Sequence, residues 1–356
     1  MRVLQLIDSL DAGGAERVAV TYANALTGHI EASYLCATRK EGLLKQTLHE
    51  NVGYLFLQKK NTLDLKAILK LNTFIKENKI SLIHTHTSSF FIATLIKLYN
   101  SKVSVIWHDH YGKSENVEQR STKILKWCSS KFCAIISVNR ILEKWAIKNL
   151  KTTNVFYLEN AVSLPTLEPD IPLMLKGSYN KRIVCLANMR TQKDHINLLE
   201  AFKLVLKKHP DYTLHLLGKN WGDSYFNNVS KVMSQDIYIG KVFYYNSQPN
   251  VHSLLIQNNI GVLSSNSEGL PIALLEYGMA KLAVVCTNVG QCKELVSTFG
   301  KCIPSKNPKL LAKAINYYIE HPEELSKDAH NYNNHVIKNY SIKTIVPKLV
   351  SIYKSC

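Results

Sequence analysis

IGVLSSNSEGLPIALLE, residues 260–276, passes from an apolar run to a polar turn and then to a helical pattern. The run at 260–263 predicts a short buried strand. Small polar residues end it at Ser264, and Pro271 suits the first turn of a following helix, because the N–H that proline lacks has no partner there. The segment therefore predicts a strand, a tight turn and a helix N-terminus.

Such a helix N-terminus is a candidate binding site for phosphate. Its first backbone N–H groups have no partner within the helix, and the helix dipole favours an anion. Glu268 in the turn and Glu276 in the helix bracket the site, and carboxylates accept hydrogen bonds from the hydroxyls of a sugar or ribose. The arrangement fits a nucleotide diphosphate sugar, although spacing alone fits a surface glutamate and a helix-capping glutamate equally well.

The same segment resembles one known family. Glu-x7-Glu, with Gly269 beside the first Glu, is similar to the retaining nucleotide-sugar glycosyltransferases of family 4. The resemblance implies that Glu268 contacts the donor sugar and Glu276 the nucleotide ribose. It also places Gly269, Leu270 and Pro271 in the donor-binding turn, where Leu270-Pro271 replaces the usual aromatic-Gly step. Retention of configuration and no required metal are implied as well.

Length and composition are those of a soluble globular protein with room for two cores. The chain has 356 residues, 46% apolar and 20% charged, and no apolar run long enough to span a membrane. Residues 1–10 contain Asp8 and lack a signal-peptide layout, so we expect a cytoplasmic protein. The eight cysteines are scattered without a CxxC, and we expect reduced core thiols and no metal site.

The formal net charge is +17, and the pI is about 9.4. Such an excess could attract nucleic acid, an anionic membrane surface or an anionic substrate. Lysine-rich exposed helix faces explain it about as well. Because no nucleic-acid-binding motif is visible, we expect no nucleic acid partner.

Strand-like and helical runs alternate along the chain, which predicts an α/β fold with parallel sheets. Strands are predicted at 2–7, 31–36, 54–57, 82–84, 103–107, 134–138, 155–157, 182–186, 212–217, 237–239, 260–263 and 283–286. The simplest interpretation is two doubly wound, Rossmann-like domains with an interdomain cleft, and ligands in such sheets bind at the carboxyl ends of strands. The resemblance implies the GT-B fold.

The domain boundaries follow from the Pro/Gly-rich stretch between the two series of strands. We predict an acceptor-side domain at 1–162, a linker at 163–179 and a donor-binding domain at 180–340. Residues 341–356 are predicted to return to the first domain as a helix, from about 342 to 353.

The loop after the first strand contains Gly13 and Gly14 ahead of a helical pattern. A glycine pair lets backbone approach a ligand closely, and the helix start can face a phosphate. The string is not GxGxxG, so a dinucleotide site is not expected, and a mere tight turn explains the pair about as well. By resemblance, Gly13 and Gly14 lie against the donor phosphate and the acceptor.

Two pairs of histidines follow predicted strands, at 84 and 86 and at 108 and 110. We expect the members of each pair to point to opposite faces, so that neither pair shares an ion. A neutral-pH histidine can hydrogen-bond a substrate hydroxyl or phosphate. The resemblance assigns His110 to the donor sugar, with His108 as the competitor, whereas His84 and His86 are expected to be hydrogen-bonded loop residues.

A basic loop, with Asn188, Arg190 and Lys193, follows the first strand of the second series. Fixed cations at a strand end can neutralise a leaving diphosphate, although two exposed loop cations are an equal alternative. The family pattern is Gly-Arg and then Lys. Lys193 matches, whereas Asn188 stands where the Arg is usual, so either Arg190 supplies the charge or Asn188 weakens it. Gly218 resembles the glycine near the nucleotide.

These matches, in the family's order, imply transfer of a sugar from a UDP- or GDP-linked donor to a hydroxyl acceptor. No cofactor besides this co-substrate is implied. We expect the acceptor to be a lipid-linked or growing surface glycan of bacterial polysaccharide biosynthesis. Two alternatives remain open: a nucleotide-sugar epimerase and a non-enzymatic basic binding protein.

The basic stretch at 113–151 is a candidate for peripheral contact with an anionic membrane at its inner face. Five aromatic residues lie in or near it: Trp107, Tyr111, Trp127, Phe132 and Trp145. Phe132 and Trp145 fit a protein core better than a membrane surface.

Overall fold

The computed structural model describes residues 1–112, 114–163 and 173–356. The chain divides into two compact units. The first unit comprises Met1–Ser163 and Ile342–Cys356, and the second comprises Leu164–Ser341. Residues 164–172, about half of the predicted linker 163–179, lie outside the described part.

The first unit is built on a seven-stranded parallel sheet in the order β3-β2-β1-β4-β5-β6-β7. The strands are β1 (Arg2–Ser9), β2 (Ala32–Lys40), β3 (Gly53–Phe56), β4 (Leu82–His86), β5 (Ser104–Asp109), β6 (Ala134–Ser137) and β7 (Val155–Tyr157). The helices are α1 (Gly14–Leu26), α2 (Leu65–Glu77), α3 (Phe90–Tyr99), α4 (Lys123–Ser129), α5 (Arg140–Asn149) and α13 (Ile342–Lys354).

Helix α13 belongs to the first unit although it follows the second unit in the chain. Its buried residues are Ile345, Val346, Leu349, Ile352 and Tyr353. This spacing puts all five on one face of a helix with 3.6 residues per turn. The apolar face of α13 therefore completes the core of the first unit.

The second unit is built on a six-stranded parallel sheet in the order β10-β9-β8-β11-β12-β13. The strands are β8 (Arg182–Leu186), β9 (Thr213–Leu217), β10 (Val242–Tyr245), β11 (Ile260–Leu263), β12 (Ala283–Thr287) and β13 (Gly300–Ile303). The helices are α6 (His195–Lys208), α7 (Ser224–Met233), α8 (His252–Leu255), α9 (Ile272–Met279), α10 (Cys292–Val296), α11 (Pro308–Glu320) and α12 (Pro322–Tyr340). Both sheets confirm the predicted α/β class.

Each sheet contains one point where the order of strands reverses direction. It lies between β1 and β4 in the first unit and between β8 and β11 in the second. Connections leave such a switch point on opposite faces of the sheet, so a crevice opens at the carboxyl ends of its two strands. These two switch points position the candidate site residues described below.

One strand was predicted at the wrong residues, and one further strand was missed. Residues 237–239 were predicted as a strand, but Asp236–Tyr238 forms a 3₁₀ helix, and the strand follows as β10. The buried Tyr238 hydroxyl donates to the Leu199 carbonyl, which anchors this turn to α6. The missed strand is β13, an edge strand whose four residues are only half-buried, so its sequence carries a weak apolar signal.

The expectation of reduced cysteines was wrong for one pair. Cys133 and Cys356 form a disulfide, with Cα atoms 5.6 Å apart, although 223 residues separate them in sequence. Cys356 follows α13, which brings it to the residue preceding β6. The other six cysteines are free.

None of the helices in the described part of the chain is long and apolar enough to cross a membrane.

Candidate active site

The centre of the second unit's switch point is an ion pair between β8 and β11. The Lys193 ammonium donates to Glu268 Oε1 at 2.5 Å, and the Ser265 hydroxyl donates to the same oxygen at 2.6 Å. The carboxylate of Glu268 is 8% exposed and the Lys193 side chain 20% exposed. The structure thus brings together two residues that are 75 positions apart in the sequence and were both predicted as site residues.

Backbone contacts hold the two loops of this ion pair against each other. The Ser264 hydroxyl donates to the carbonyls of Lys193 and Asp194, at 3.0 and 3.1 Å. The Asn266 N–H donates to the Gln192 carbonyl at 2.7 Å. Small polar residues end β11 because they satisfy the backbone of the neighbouring loop, and this fixes the position of Lys193.

Tyr277, which the sequence did not single out, sits below these loops. Strands β8 and β11 pair only at Ile183 and Val184 before they diverge. The buried Tyr277 hydroxyl accepts from the Leu186 N–H at 2.7 Å and donates to the Val262 carbonyl at 3.0 Å. It therefore replaces the missing ladder contact and holds the crevice open.

The turn from Glu268 to α9 is buried, whereas one face of α9 itself is half-exposed. Gly269, Leu270 and Pro271 are buried, and Pro271 precedes the first helical residue rather than occupying the first turn. Gly290 packs against this turn at φ +53°, where a Cβ would collide with the Glu268 carbonyl, so only glycine fits. Glu276 lies on the half-exposed face of α9.

Arg190 and Asn188 have different surroundings from Lys193. The Arg190 guanidinium is exposed and lies 4.6 Å from the ring centre of Trp221, a cation–π contact. Asn188 Oδ1 accepts from the Lys219 N–H at 2.8 Å, so this side chain helps to hold the end of β9. Trp221 was missed, although a tryptophan among small polar residues is an unusual signal.

Gly218, at the end of β9, is a position that only glycine can fill. Its φ is +152°, and a Cβ would collide with the Ala187 carbonyl at the end of β8. The two strand ends therefore approach each other closely. Its contact with a nucleotide remains a prediction from the resemblance.

The first unit's switch point holds an array of four stacked histidines. The coplanar pair His84–His108 has Nε2 and Nδ1 3.2 Å apart, with 10° between the rings. In the second pair, His86 Nδ1 lies 3.0 Å from His110 Nε2. His84 stacks on His86 with ring centres 4.5 Å apart, and the rings of His108 and His110 lie 4.0 Å apart and are tilted by 33°.

Two expectations about these histidines were wrong. Strands β4 and β5 run two residues further than predicted, so His84 and His86 are buried strand residues, not loop residues. Alternate residues of a regular strand share a face, which puts all four rings together instead of on opposite faces. Gln5 of β1, Tyr22 of α1 and Tyr353 of α13, none of them predicted, surround the array.

Burial makes all four histidines poor bases. It lowers the pKa of His84 and His110 to about 3, and that of His86 and His108 well below the ordinary value. His110 is the only partly exposed member of the array, whereas His108 is fully buried. The geometry therefore favours His110 over His108 for contact with a ligand.

The array includes the one group in the described residues whose spacing suits a metal ion. Nitrogen atoms of His84, His86 and His108 all lie within 4.8 Å of one another. A metal needs lone pairs that converge on one point about 2.1 Å away. Here the nitrogens face each other in hydrogen-bonded pairs, His84 with His108 and His86 with His110, so we assign the group to hydrogen bonding, and metal independence stays a prediction.

Residues beside His110 form a buried ion pair that the sequence did not reveal. Arg120 donates to the buried Asp109 carboxylate at 2.6 Å and packs on the rings of Trp107, Tyr111 and Trp145. Burial raises the pKa of Asp109 despite the nearby Arg120. Trp107, Phe132 and Trp145 are core residues, which leaves Trp127 as the well-exposed aromatic of the five considered.

Gly13 and Gly14 begin α1 as predicted, with Gly13 as the N-cap. A Cβ at Gly13 would collide with the Glu16 carboxylate, which lies against the start of the helix. Negative charge is favoured at that position. The donor-binding role of Gly13 and Gly14 stays a prediction from the resemblance.

Two family models match the chain. Glyco_transf_4, "Glycosyltransferase Family 4", matches residues 12–164, and Glycos_transf_1, "Glycosyl transferases group 1", matches residues 174–336. The Escherichia coli O-antigen biosynthesis glycosyltransferase WbnH is 25% identical over 98% of this chain and 97% of its own length. The E. coli enzyme named UDP-Gal:alpha-D-GlcNAc-diphosphoundecaprenol alpha-1,3-galactosyltransferase is 22% identical over 82% of this chain and 79% of its own.

Solved structures support the fold. Anabaena Alr3699/HepE in complex with UDP and glucose superposes with a TM-score of 0.81 at 16% identity, covering all of both chains. The sucrose-phosphate synthase of Thermosynechococcus elongatus gives a TM-score of 0.77 at 14% identity, covering 99% of this chain and 98% of its own. The GT-B fold predicted from the sequence is thereby confirmed.

Proposed function

Because the chain belongs to the group 1, family 4 glycosyltransferases, we propose that it transfers a sugar, with retention, from a UDP-linked donor to a hydroxyl of a lipid-linked glycan. Family membership replaces the epimerase and the basic binding protein as interpretations. The observation that carries the proposal is the ion pair between buried Glu268 and partly buried Lys193 beside the start of α9.

The donor's base is the first point of the proposal. Structures of HepE contain UDP or UDP-glucose, and one E. coli relative is named for UDP-Gal. These similarities support uridine over guanosine. They do not select the sugar, because sugar specificity depends on a few pocket contacts.

In the proposed reaction, the bond between the anomeric carbon and the diphosphate oxygen breaks as the acceptor oxygen bonds to that carbon. The acceptor's proton passes to the departing diphosphate. The Lys193 ammonium and the backbone N–H groups at the start of α9 would neutralise the negative charge that develops. We assign Glu268 to binding the sugar's hydroxyls rather than to nucleophilic attack, because its Oε1 already accepts from Lys193 and Ser265.

We propose that Glu276 holds the ribose from the half-exposed face of α9, and that Arg190 supplies a second cation from its position on Trp221. His110 would accept or donate one hydrogen bond at the sugar. A leaving diphosphate neutralised by Lys193, Arg190 and helix N–H groups has no need of a divalent metal, so activity in the presence of a chelator is part of the proposal.

The test is nucleotide release from a panel of UDP- and GDP-sugars with EDTA present, using the wild type, Glu268→Gln and Lys193→Ala. We expect slow release from one UDP-sugar by hydrolysis, and its loss in both variants. Glu320→Gln and Lys208→Ala are the matched controls, since Lys208 and Glu320 form an exposed pair elsewhere in the second unit. Both controls should keep the wild-type rate.

Two results would contradict this proposal. Release that requires added Mg²⁺ or Mn²⁺ would remove metal independence. No release from any donor, together with no stabilisation by UDP, GDP or their sugars in thermal unfolding, would remove the donor site at Glu268 and Lys193.

The acceptor side of the proposal rests on the helices of the first unit. Helices α2 to α5 leave large apolar side chains exposed among lysines: Leu65, Leu69, Leu98, Tyr99, Ile124, Trp127, Ile141 and Ile147. The stretch 64–151 has fifteen Lys or Arg against six Asp or Glu. Apolar side chains set among cations suit the interface of an anionic membrane, where a lipid-linked acceptor is held.

Sedimentation with vesicles tests this contact. We expect binding to vesicles that contain phosphatidylglycerol at low salt, no binding to phosphatidylcholine alone, and loss of binding at high salt. Ile124→Ser combined with Trp127→Ser should weaken binding without changing nucleotide release. Ile239→Ser combined with Ile256→Ser, exposed residues of the second unit, is the matched control. Equal binding by both double variants would exclude the helix surface.

A further inference from the structure

The histidine array of the first unit is connected to a single amide, that of Gln5. Gln5 Oε1 lies 2.8 Å from His86 Nε2, and Gln5 Nε2 donates to the Tyr353 hydroxyl at 3.1 Å. Gln5 is itself completely buried in β1. A buried glutamine inside an apolar strand (VLQLI, residues 3–7) would be costly without such partners, so its contacts are specific.

The proton positions of His86 and His110 follow from Gln5. An amide oxygen can only accept, so the proton of neutral His86 is on Nε2. His86 Nδ1 is then a bare acceptor, 3.0 Å from His110 Nε2. Therefore His110 carries its proton on Nε2, and its Nδ1 is a bare acceptor on the one partly exposed histidine of the array.

The proton positions of His84 and His108 are determined in the same way. Because Gln5 donates to the Tyr353 oxygen, the hydroxyl proton of Tyr353 is available to His84 Nδ1, 2.6 Å away. His84 Nε2 then donates to His108 Nδ1. This order leaves one buried N–H, His108 Nε2, without a hydrogen-bond partner.

We propose that Gln5, acting through His86, fixes His110 in the tautomer with the proton on Nε2 and presents Nδ1 as an acceptor for a sugar hydroxyl. Gln5 and His86 are positioning residues in this scheme. The tautomer follows from the first unit alone, whereas the contact with a sugar rests on the proposed function. A sugar that lacks the hydroxyl facing His110 should be a poor donor, because the acceptor His110 Nδ1 would then have no partner in the complex.

The tautomer can be read directly by long-range 1H–15N spectra of the full-length protein, labelled with 15N-histidine, at pH 7.5 and without donor. His110→Gln identifies the His110 signals. We expect a pyridine-type shift for His110 Nδ1 and a pyrrole-type shift for its Nε2. The opposite pattern, which the reverse proton order around Gln5 would produce, overturns the proposal whether or not a Gln5 variant folds.

Gln5→Met removes the acceptor and keeps the volume. His86 and His110 should then populate both tautomers, which moves the His110 Nδ1 shift towards the average value. Gln257→Met is the matched control, since Gln257 is a buried glutamine of the second unit that bonds Leu173, Leu175 and Ser253. It should leave the His110 shifts unchanged.

Nucleotide release separates this inference from the proposed function. With Gln5→Met we expect kcat/KM to fall about tenfold, the effect of one misdirected hydrogen bond. A changed tautomer with an unchanged rate would show that His110 does not contact the donor, although Gln5 still sets its tautomer. An unchanged His110 tautomer in Gln5→Met would overturn the proposal that Gln5 sets it, whatever the rate.

Discussion

The two switch points have the same topology and opposite chemistry. Between β1 and β4 the first unit buries neutral rings and an amide, Gln5 with His86, whereas between β8 and β11 the second unit buries an ion pair, Lys193 with Glu268. At both switch points, two side chains from opposite sides contact each other. Gln5 and His86 lie on the strands themselves, whereas Lys193 and Glu268 lie in the loops that follow the strands. The switch point of a sheet can therefore hold either a chain of neutral hydrogen-bonded side chains or an ion pair.

The difference teaches what each position can contribute to a reaction. A neutral histidine with a lowered pKa directs a hydrogen bond without adding charge. A partly buried ammonium such as that of Lys193 can hold a fixed charge for a departing anion. In the proposed reaction the first unit would supply directional recognition and the second unit charge compensation, and each can be perturbed separately.

Removing the charge should have the largest effect. Lys193→Ala should lower the rate of sugar transfer about 10²–10³-fold, because no other group replaces its field in the transition state. Lys193→Arg is the informative companion, since it keeps the charge and changes the geometry. A loss below fivefold in Lys193→Ala would show that the charge at this switch point is not needed.

Acid should unfold the first unit by way of its histidines. Their pKa values are depressed in the folded state and near 6.5 in the unfolded chain, so below pH 6.5 only the unfolded chain takes up these protons and stability falls with acid. Each fully buried histidine should cost about 1 kcal/mol between pH 7 and pH 5.5.

Urea unfolding at the two pH values measures this loss. In Trp221→Phe the remaining tryptophans, Trp107, Trp127 and Trp145, all belong to the first unit and report its unfolding alone. A midpoint that does not move between pH 7 and pH 5.5 would show that the array tolerates protonation.

Tyr277→Phe tests the divergence of β8 and β11. It leaves the Leu186 N–H and the Val262 carbonyl buried without their partner, so the second unit should lose about 1–3 kcal/mol. Tyr238→Phe, which loses a single hydrogen bond to Leu199, should cost about 1 kcal/mol and serves as the comparison. Urea unfolding followed by circular dichroism gives both values, and equal losses would mean that Tyr277 does not bridge the strands.

Sequence reasoning found the elements but not their long-range partners. Apolar runs such as 182–186 and 260–263 predicted strands correctly, because parallel strands are buried on both faces. The 237–239 run failed because only Tyr238 is buried there, in a turn that it anchors to α6, whereas Ile239 is exposed. Periodicity reports burial, and burial is common to strands, turns and helices.

The site was predicted unevenly for the same reason. Glu268 and Lys193 followed from a resemblance, and the structure places them in contact. Gln5 and Tyr353 were missed, since their roles arise from strand register and from a helix 269 residues after His84 in sequence. A polar residue inside an apolar strand was the one local signal available for Gln5.

Synthesis proceeds from the N-terminus, and α13 is made after the entire second unit. Until α13 emerges from the ribosome, Gln5 and His84 lack the Tyr353 hydroxyl, and the apolar face that α13 covers is open to water. We therefore expect the nascent first unit to be prone to aggregation during the time needed to translate the second. A premature stop just before α13 would leave an intact-looking second unit attached to an incomplete and aggregation-prone partner.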